Sequence, residues 1–280
     1  MTSSAPLAGI RILSMAEQLP GPYATLLLAD LEADVILIER PGTGDPSRRF
    51  EGLFASLNRN KRSVALNLKD AADHARFLEL VDTADVVMEG FRPGVMQRLG
   101  LDADTLRQRK PALVYASISS FGQTGPMNTV VGHDLSIQGA AGMINVPLGQ
   151  ESRSCVPVLP LADISSAMFA AFGVLAALLR RERGASGCNV DVSMLDSLVS
   201  WMTPFLVPGV NGLPIRDLPP LEPAYGVFRT QDNRQLTLSV AGEDVMWQAL
   251  CDLLRLPQYR SLNEKERKTA AWRSTPNCAD

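Results

Sequence analysis

The sequence has little of what would hold a metal or steer it to a polyanion. It carries two histidines, His74 and His133, and four scattered cysteines, Cys155, Cys188, Cys251 and Cys278. No CxxC pair occurs and neither histidine stands at ligand spacing from a cysteine, so a reduced protein without a structural metal is expected. The formal net charge is −3, which argues against a nucleic-acid binder and leaves any anionic ligand to a local basic patch. The longest apolar run, 164–179, lies between Asp163 and Arg180 and is interrupted by Ser165, Ser166 and Gly173. It is shorter than the ~20 residues of a membrane span and reads as a buried helix. The opening Met-Thr-Ser-Ser-Ala-Pro has neither a basic nor an apolar segment of a signal peptide, so a cytoplasmic location is expected.

What is present is ordinary globular composition, 46% apolar and 20% charged over 280 residues, enough for one large and one small domain. Strand-like stretches at 10–15, 35–39, 85–88, 113–119 and 189–192 alternate with helical ones at 23–31, 71–83, 164–181 and from Met194. His74, Phe77, Leu78 and Val81 share one helical face. Such alternation predicts an α/β fold with a mostly parallel sheet over 1–207. Pro208, Gly209, Gly212, Pro214, Pro219 and Pro220 mark 208–222 as a linker. Beyond it, 226–230 and 235–240 flank Gln231-Asp232-Asn233-Arg234 as a hairpin, and 243–254 reads as a helix, giving a partial small α+β domain over 223–262. From 263 to 280 no apolar periodicity appears, and a disordered tail is expected.

Three Gly/Pro-rich junctions, 19–22, 39–45 and 89–94, fall at strand ends, where backbone N–H groups can meet phosphate. None is a GxGxxG fingerprint or a P-loop. Arg40, Arg48, Arg49, Arg59, Lys61, Arg62, Lys69, Arg92 and Arg98 lie near them, either as a solvated surface or as a phosphate cradle. Asp163 directly precedes the uncharged 16-residue run. It is either the N-cap of that helix or a working carboxylate, and spacing does not separate the two.

Longer motifs are more specific. Gly21-Pro22-Tyr23-Ala24, Ile38-Glu39-Arg40-Pro41-Gly42, Gly44-Asp45-Pro46, Leu57-Asn58-Arg59-Asn60-Lys61-Arg62-Ser63, Phe91-Arg92-Pro93-Gly94, Phe121-Gly122-Gln123-Thr124-Gly125-Pro126 and Asp191-Val192-Ser193-Met194-Leu195-Asp196 occur in order. Together they resemble the class III CoA-transferases, the family of formyl-CoA transferase, carnitine CoA-transferase and alpha-methylacyl-CoA racemase. The match runs from about residue 8 to about residue 200, with a weaker echo to about 255.

The resemblance implies a Rossmann-like large domain and a small domain, in two chains that interlock as a homodimer. It implies coenzyme A or acyl-CoA as substrate, a carboxylic acid as acceptor and no tightly bound cofactor. By carry-over, Arg40, Lys69 and Arg98 match positions that hold the adenosine and phosphates, and Phe91 flanks the nucleotide and pantetheine. Asp163 matches the catalytic aspartate, which in the transferases passes through an anhydride and an aspartyl-CoA thioester. In the racemases the same aspartate works with the histidine of Gly-His-Asp, here Gly132-His133-Asp134, and Glu243 falls where a glutamate would support that histidine. Leu135-Ser136-Ile137-Gln138-Gly139 and Ile164-Ser165-Ser166-Ala167 depart from the racemase pattern and lean toward transferase. Family members run longer than this chain, which leaves a truncated, non-catalytic CoA-binding protein as a third possibility.

Overall fold

The computed structural model describes residues 5–145, 158–213 and 223–274. These fall into two compact units, dividing between Pro204 and Phe205. In the first, β1 (Arg11–Ser14), β2 (Asp34–Glu39), β3 (Lys61–Ala65), β4 (Val86–Glu89), β5 (Val114–Ser119) and β6 (Asn189–Ser193) form one sheet in the order β3-β2-β1-β4-β5-β6. Every pairing is parallel. The helices of this unit are α1 (Pro20–Ala29), α2 (Glu51–Asn58), α3 (Ala71–Thr83), α4 (Val95–Arg98), α5 (Ala103–Arg109), α6 (Asp134–Ala140), α7 (Leu161–Glu182) and α8 (Met194–Trp201), and the chain divides within α9 (Thr203–Val210).

Both faces of the sheet are covered, which is why its strands read as apolar runs rather than as alternating ones. Ile12, Val35, Leu37, Val86, Val114 and Ile118 pack on one side with Leu28 of α1, Val174 of α7 and Leu198 of α8. Leu13, Ile36, Val87 and Tyr115 pack on the other with Phe77 and Val81 of α3 and Leu106 of α5. The single-residue offset between the two sets follows from the two-residue period of a strand. Helix α7 is 22 residues, longer than the apolar run suggests, and by length and composition it could cross a membrane. Half of its most apolar window is buried, however, and its inner face is small: Ala162, Ser165, Ser166, Ala167, Ala170 and Ala171. A Cβ on Gly173 would stand 2.6 Å from Val190 Cγ1, so the helix lies tight on the sheet edge.

Strand β3 is absent from the sequence reading because Lys-Arg-Ser-Val-Ala has no apolar run. It is an edge strand, and its charges are of the kind that blunt an edge. Arg62 forks onto Asp34 at 2.5 and 2.7 Å. The expected linker at 208–222 begins inside α9, which continues through Pro208 to Val210; 214–222 lie outside the described residues.

In the second unit, β7 (Tyr225–Arg229) and β8 (Gln235–Ser239) make the expected antiparallel hairpin. Helix α10 (Asp244–Leu253) follows, and Ala224, Trp247 and Cys251 form a small core. The expected disordered tail is corrected over part of its length, since Glu264–Ser274 is a helix, α11. Asn263 and Glu266 cap it reciprocally: the Glu266 N–H donates to Asn263 Oδ1 at 3.0 Å and the Asn263 N–H to Glu266 Oε2 at 2.9 Å. Arg267 is fully buried, with its guanidinium 5.4 Å from the Trp247 ring and 2.6 Å from Asp244 Oδ1. A helix pinned by a buried cation leaves no apolar periodicity to read. Residues 275–280 lie outside the described residues.

Candidate active site

The strand order of the first unit reverses direction between β1 and β4, the place where open α/β sheets leave a crevice at their carboxyl ends. A cleft of about 740 Å³ opens there, lined by the loops after β1 and β4, the segment before α6, and the start of α7. That volume suits a small molecule, for which sites span roughly 300–1,000 Å³.

The loop after β1 is held in an unusual form. Gln18 has φ +68°, a left-handed conformation uncommon outside glycine and frequent at functional sites. Its N–H donates to both Asp45 oxygens at 3.2 and 3.0 Å. A Cβ on Gly21 would stand 2.0 Å from Ala16 Cβ, so only glycine permits this entry into α1, which opens on Pro20. Asp45 is buried and also accepts from Ser47 N at 2.7 Å. Behind it stands Glu39, at the end of β2, which accepts from Asp45 N, from the Arg48 guanidinium and from the Ser63 hydroxyl.

Asp163 lines the cleft from the first turn of α7. It is not the N-cap. That position is Pro160, which offers no side-chain acceptor. The first-turn donors Ala162 N and Asp163 N instead reach Asp134 Oδ1 at 2.7 and 3.2 Å. The Asp163 carboxylate has no hydrogen-bond partner among the described residues. Burial pushes its pKa up to about 7, and the negative Asp134 adds to the rise.

His133 lines the same cleft and is exposed. Its backbone N–H donates to Ser136 Oγ at 2.9 Å, and that hydroxyl donates back to His133 O at 2.7 Å. Phe91 and Arg98 also line the cleft. Phe91 N donates to Glu89 Oε2 at 2.7 Å, and burial pushes the Glu89 carboxyl up to about 7. Arg40 is not a lining residue, but it pairs at 2.8 Å with Glu17, which is one. Lys69 is exposed and is not among the lining residues. Glu243 belongs to the second unit, where it precedes α10 and accepts from Ala241 N at 2.9 Å.

The basic residues sort themselves by partner. Arg48, Arg59 and Arg62 are paired with Glu39, Asp30 and Asp34. Lys61 Nζ donates to Pro22 O, Thr25 Oγ1 and Asn58 Oδ1 at 2.7–2.9 Å. These four are engaged by the chain's own acceptors, with Arg59 and Arg62 still mostly exposed, as the solvated-surface alternative has it. Arg49, Arg92 and Arg98 line the cleft with no carboxylate partner among the described residues. Sequence reasoning missed Gln18 and the cap role of Asp134. A proline before α7 was a usable signal for the latter, because it left the first-turn donors in need of a distant acceptor.

Fold and cleft together define a Rossmann-like α/β protein whose cleft is lined by Asp163 and by Arg49, Arg92 and Arg98. The chain belongs to CoA-transferase family III, whose sequence profile matches residues 7–276. It is 37% identical over 267 residues to an acetyl-CoA:oxalate CoA-transferase of Acetobacter aceti, covering 90% of this chain and 68% of that protein. It is 32% identical over 270 residues to a succinyl-CoA:glutarate CoA-transferase of Mus musculus, covering 91% of this chain and 61% of the relative. A crystal structure of a CAIB/BAIF family protein from Brucella suis superposes with a TM-score of 0.84 at 26% identity, over 97% of this chain and 75% of that one. The chain thus spans about two thirds of the length of these two curated relatives.

Proposed function

We propose that the protein moves coenzyme A between an acyl-CoA and a carboxylic acid, with Asp163 as the nucleophile. The observation that carries this reading is a carboxylate at the head of α7, lining a cleft with three arginines, none of the four having an ion-pair partner among the described residues. Arg98 and Phe91 would hold the nucleotide end of the substrate, with Arg40 and Lys69 outside the cleft lining.

In this mechanism an Asp163 oxygen attacks the thioester carbonyl. The carbon–sulfur bond breaks, giving a mixed anhydride and CoA thiolate. The thiolate attacks the Asp163 carbonyl carbon, releasing the first carboxylic acid as its anion and leaving an aspartyl-CoA thioester. The acceptor carboxylate attacks that thioester to form a second anhydride, and the thiolate attacks its acceptor-derived carbonyl. This yields the new acyl-CoA and restores the Asp163 carboxylate. A carboxylate is a modest nucleophile, so positioning and stabilisation of the developing oxyanion supply most of the acceleration. Water exclusion matters equally, because both anhydride and thioester hydrolyse.

The assembly proposed with this function is a homodimer. On α7, Met168, Phe172 and Leu179 are 48%, 70% and 53% exposed and share one helical face, a stripe that a second copy of the chain would cover. Light scattering of the wild type and of Phe172→Glu tests it.

The function is tested by intact-protein mass spectrometry after incubation with acyl-CoA thioesters. A CoA-sized adduct that borohydride removes, absent from Asp163→Ala, is the expected result. No adduct, combined with α-proton exchange in deuterated water, would transfer the reading to a racemase using His133 and Asp163. The relatives reported above are named transferases, and neither carries a racemase name. Neither adduct nor exchange would leave a CoA-binding protein without catalysis.

A further inference from the structure

The contact between Asp134 and the head of α7 is chemically odd. Two first-turn N–H groups need an acceptor, which the residue at the N-cap commonly supplies, but here that residue is Pro160. Here the acceptor is a full negative charge, carried on α6 and placed beside the carboxyl of Asp163. Asp134 is itself fixed: its Oδ2 accepts from Gln138 Nε2 at 2.6 Å, and that fully buried amide also reaches Leu159 O at 3.3 Å.

We propose that Asp134 is the positioning residue for Asp163, its carboxylate capping the first turn of α7 while setting one negative charge against the reactive carboxyl. The cap fixes the backbone from which the Asp163 side chain departs. The charge makes Asp163 a stronger base and a stronger nucleophile than an ordinary aspartate once it is ionised. Glu17, Arg49, Arg92, Arg98 and His133 are the other titratable or charged groups lining this cleft. Of them all, only Asp134 joins burial in raising the Asp163 pKa. The activity part of this inference rests on the proposed Asp163 chemistry; the titration part does not.

Two variants separate the two roles. Asp134→Asn keeps an oxygen for Ala162 N and Asp163 N and removes the charge. Gln138 Oε1 is buried without a partner among the described residues, so its amide can turn to accept from the new side-chain NH₂. Asp134→Ala removes both roles. The titration of Asp163 is followed in the full chain by isotope-edited infrared spectroscopy of labelled aspartate, with Asp163→Asn assigning the band.

The expected result is a lower midpoint in Asp134→Asn than in the wild type. The acid limb of the adduct-formation rate should move with it, and the plateau rate should fall about tenfold at unchanged KM. Asp134→Ala should lose about 100-fold or more. An unmoved midpoint in Asp134→Asn would overturn the proposal even if Asp134→Ala failed to fold. A moved midpoint in a protein that forms no adduct would keep the role of Asp134 and sink the transferase reading instead.

Discussion

Two carboxylates near the carboxyl edge of the same sheet meet opposite fates. Glu39, at the end of β2, is surrounded by donors: Arg48, Ser63 and the Asp45 N–H hold its pKa down to about 2 against the cost of burial. Asp163, at the start of α7, has no donor among the described residues, and burial with Asp134 beside it pushes its pKa up to about 7. A folded protein normally satisfies buried polar groups, and the exceptions cluster where chemistry is done. On the proposed function the β2 end is scaffold, and the head of α7 is where a charge is left available for a substrate.

The largest expected effect breaks the comparison at its reactive end. Asp163→Ala should lower CoA transfer by about a thousandfold or more, measured with an acyl-CoA and a dicarboxylate acceptor. Stability should move the other way. Because the folded pKa lies above the unfolded one, the folded state binds more protons between pH 4 and 7, and it loses stability as the pH rises through that window. Asp163→Asn should therefore be more stable than the wild type at pH 8, by roughly 1–3 kcal/mol. The gain should vanish near pH 4. Equal stability of the two proteins at pH 8 would mean that Asp163 is solvated after all.

How much of this was legible beforehand depended on the range of the interaction. The parallel sheet was readable because strand and helix periodicities are local, and so were the three strand-end junctions. Strand β3 was not, because an edge strand of Lys, Arg and Ser is defined by its pairing with β2 and by Asp34, not by its own pattern. Asp163 could be nominated, but cap and nucleophile look alike in sequence. What rules out the cap role is Asp134, 29 residues away, whose carboxylate accepts from the first-turn N–H groups. Apart from Arg40, Lys69 and Arg98, which the family resemblance singled out, the basic residues carried no label until their partners were known.

That sorting of arginines yields the next prediction. Arg98 has no carboxylate partner among the described residues and lines the cleft, whereas Arg62 is forked onto Asp34 at the sheet edge. Arg98→Ala should raise the KM for acyl-CoA by about 10- to 100-fold with a smaller change in kcat, as expected for a lost phosphate contact. Added salt should mask the difference. Arg62→Ala should leave KM within about twofold and cost no more than about 1 kcal/mol, since exposed pairs contribute little. Similar KM changes in both variants would remove the distinction between scaffold and cleft arginines.

The smallest effect worth measuring tests the scaffold end, through Arg48. Its guanidinium reaches Glu39 with bonds of 2.8 and 2.6 Å and lies 4.0 Å from the centre of the Phe54 ring. Glu39 is 8% exposed and Arg48 43%, so solvent screens one side of the pair. Arg48→Ala is expected to cost about 1–2 kcal/mol, below the figure for a fully buried pair. The sign with pH is fixed by the depressed pKa of Glu39. Its contribution is present in full above about 4.5, the ordinary carboxylate value, and is lost as the pH falls toward 2. Denaturant unfolding of wild type and Arg48→Ala at pH 7, 4 and 3 should show the gap closing as acid is added. A gap that stays constant would assign the stabilisation to packing on Phe54. Glu39 would then owe its low pKa to Ser63 and the Asp45 N–H, and the contrast with Asp163 would be one of hydrogen bonding alone.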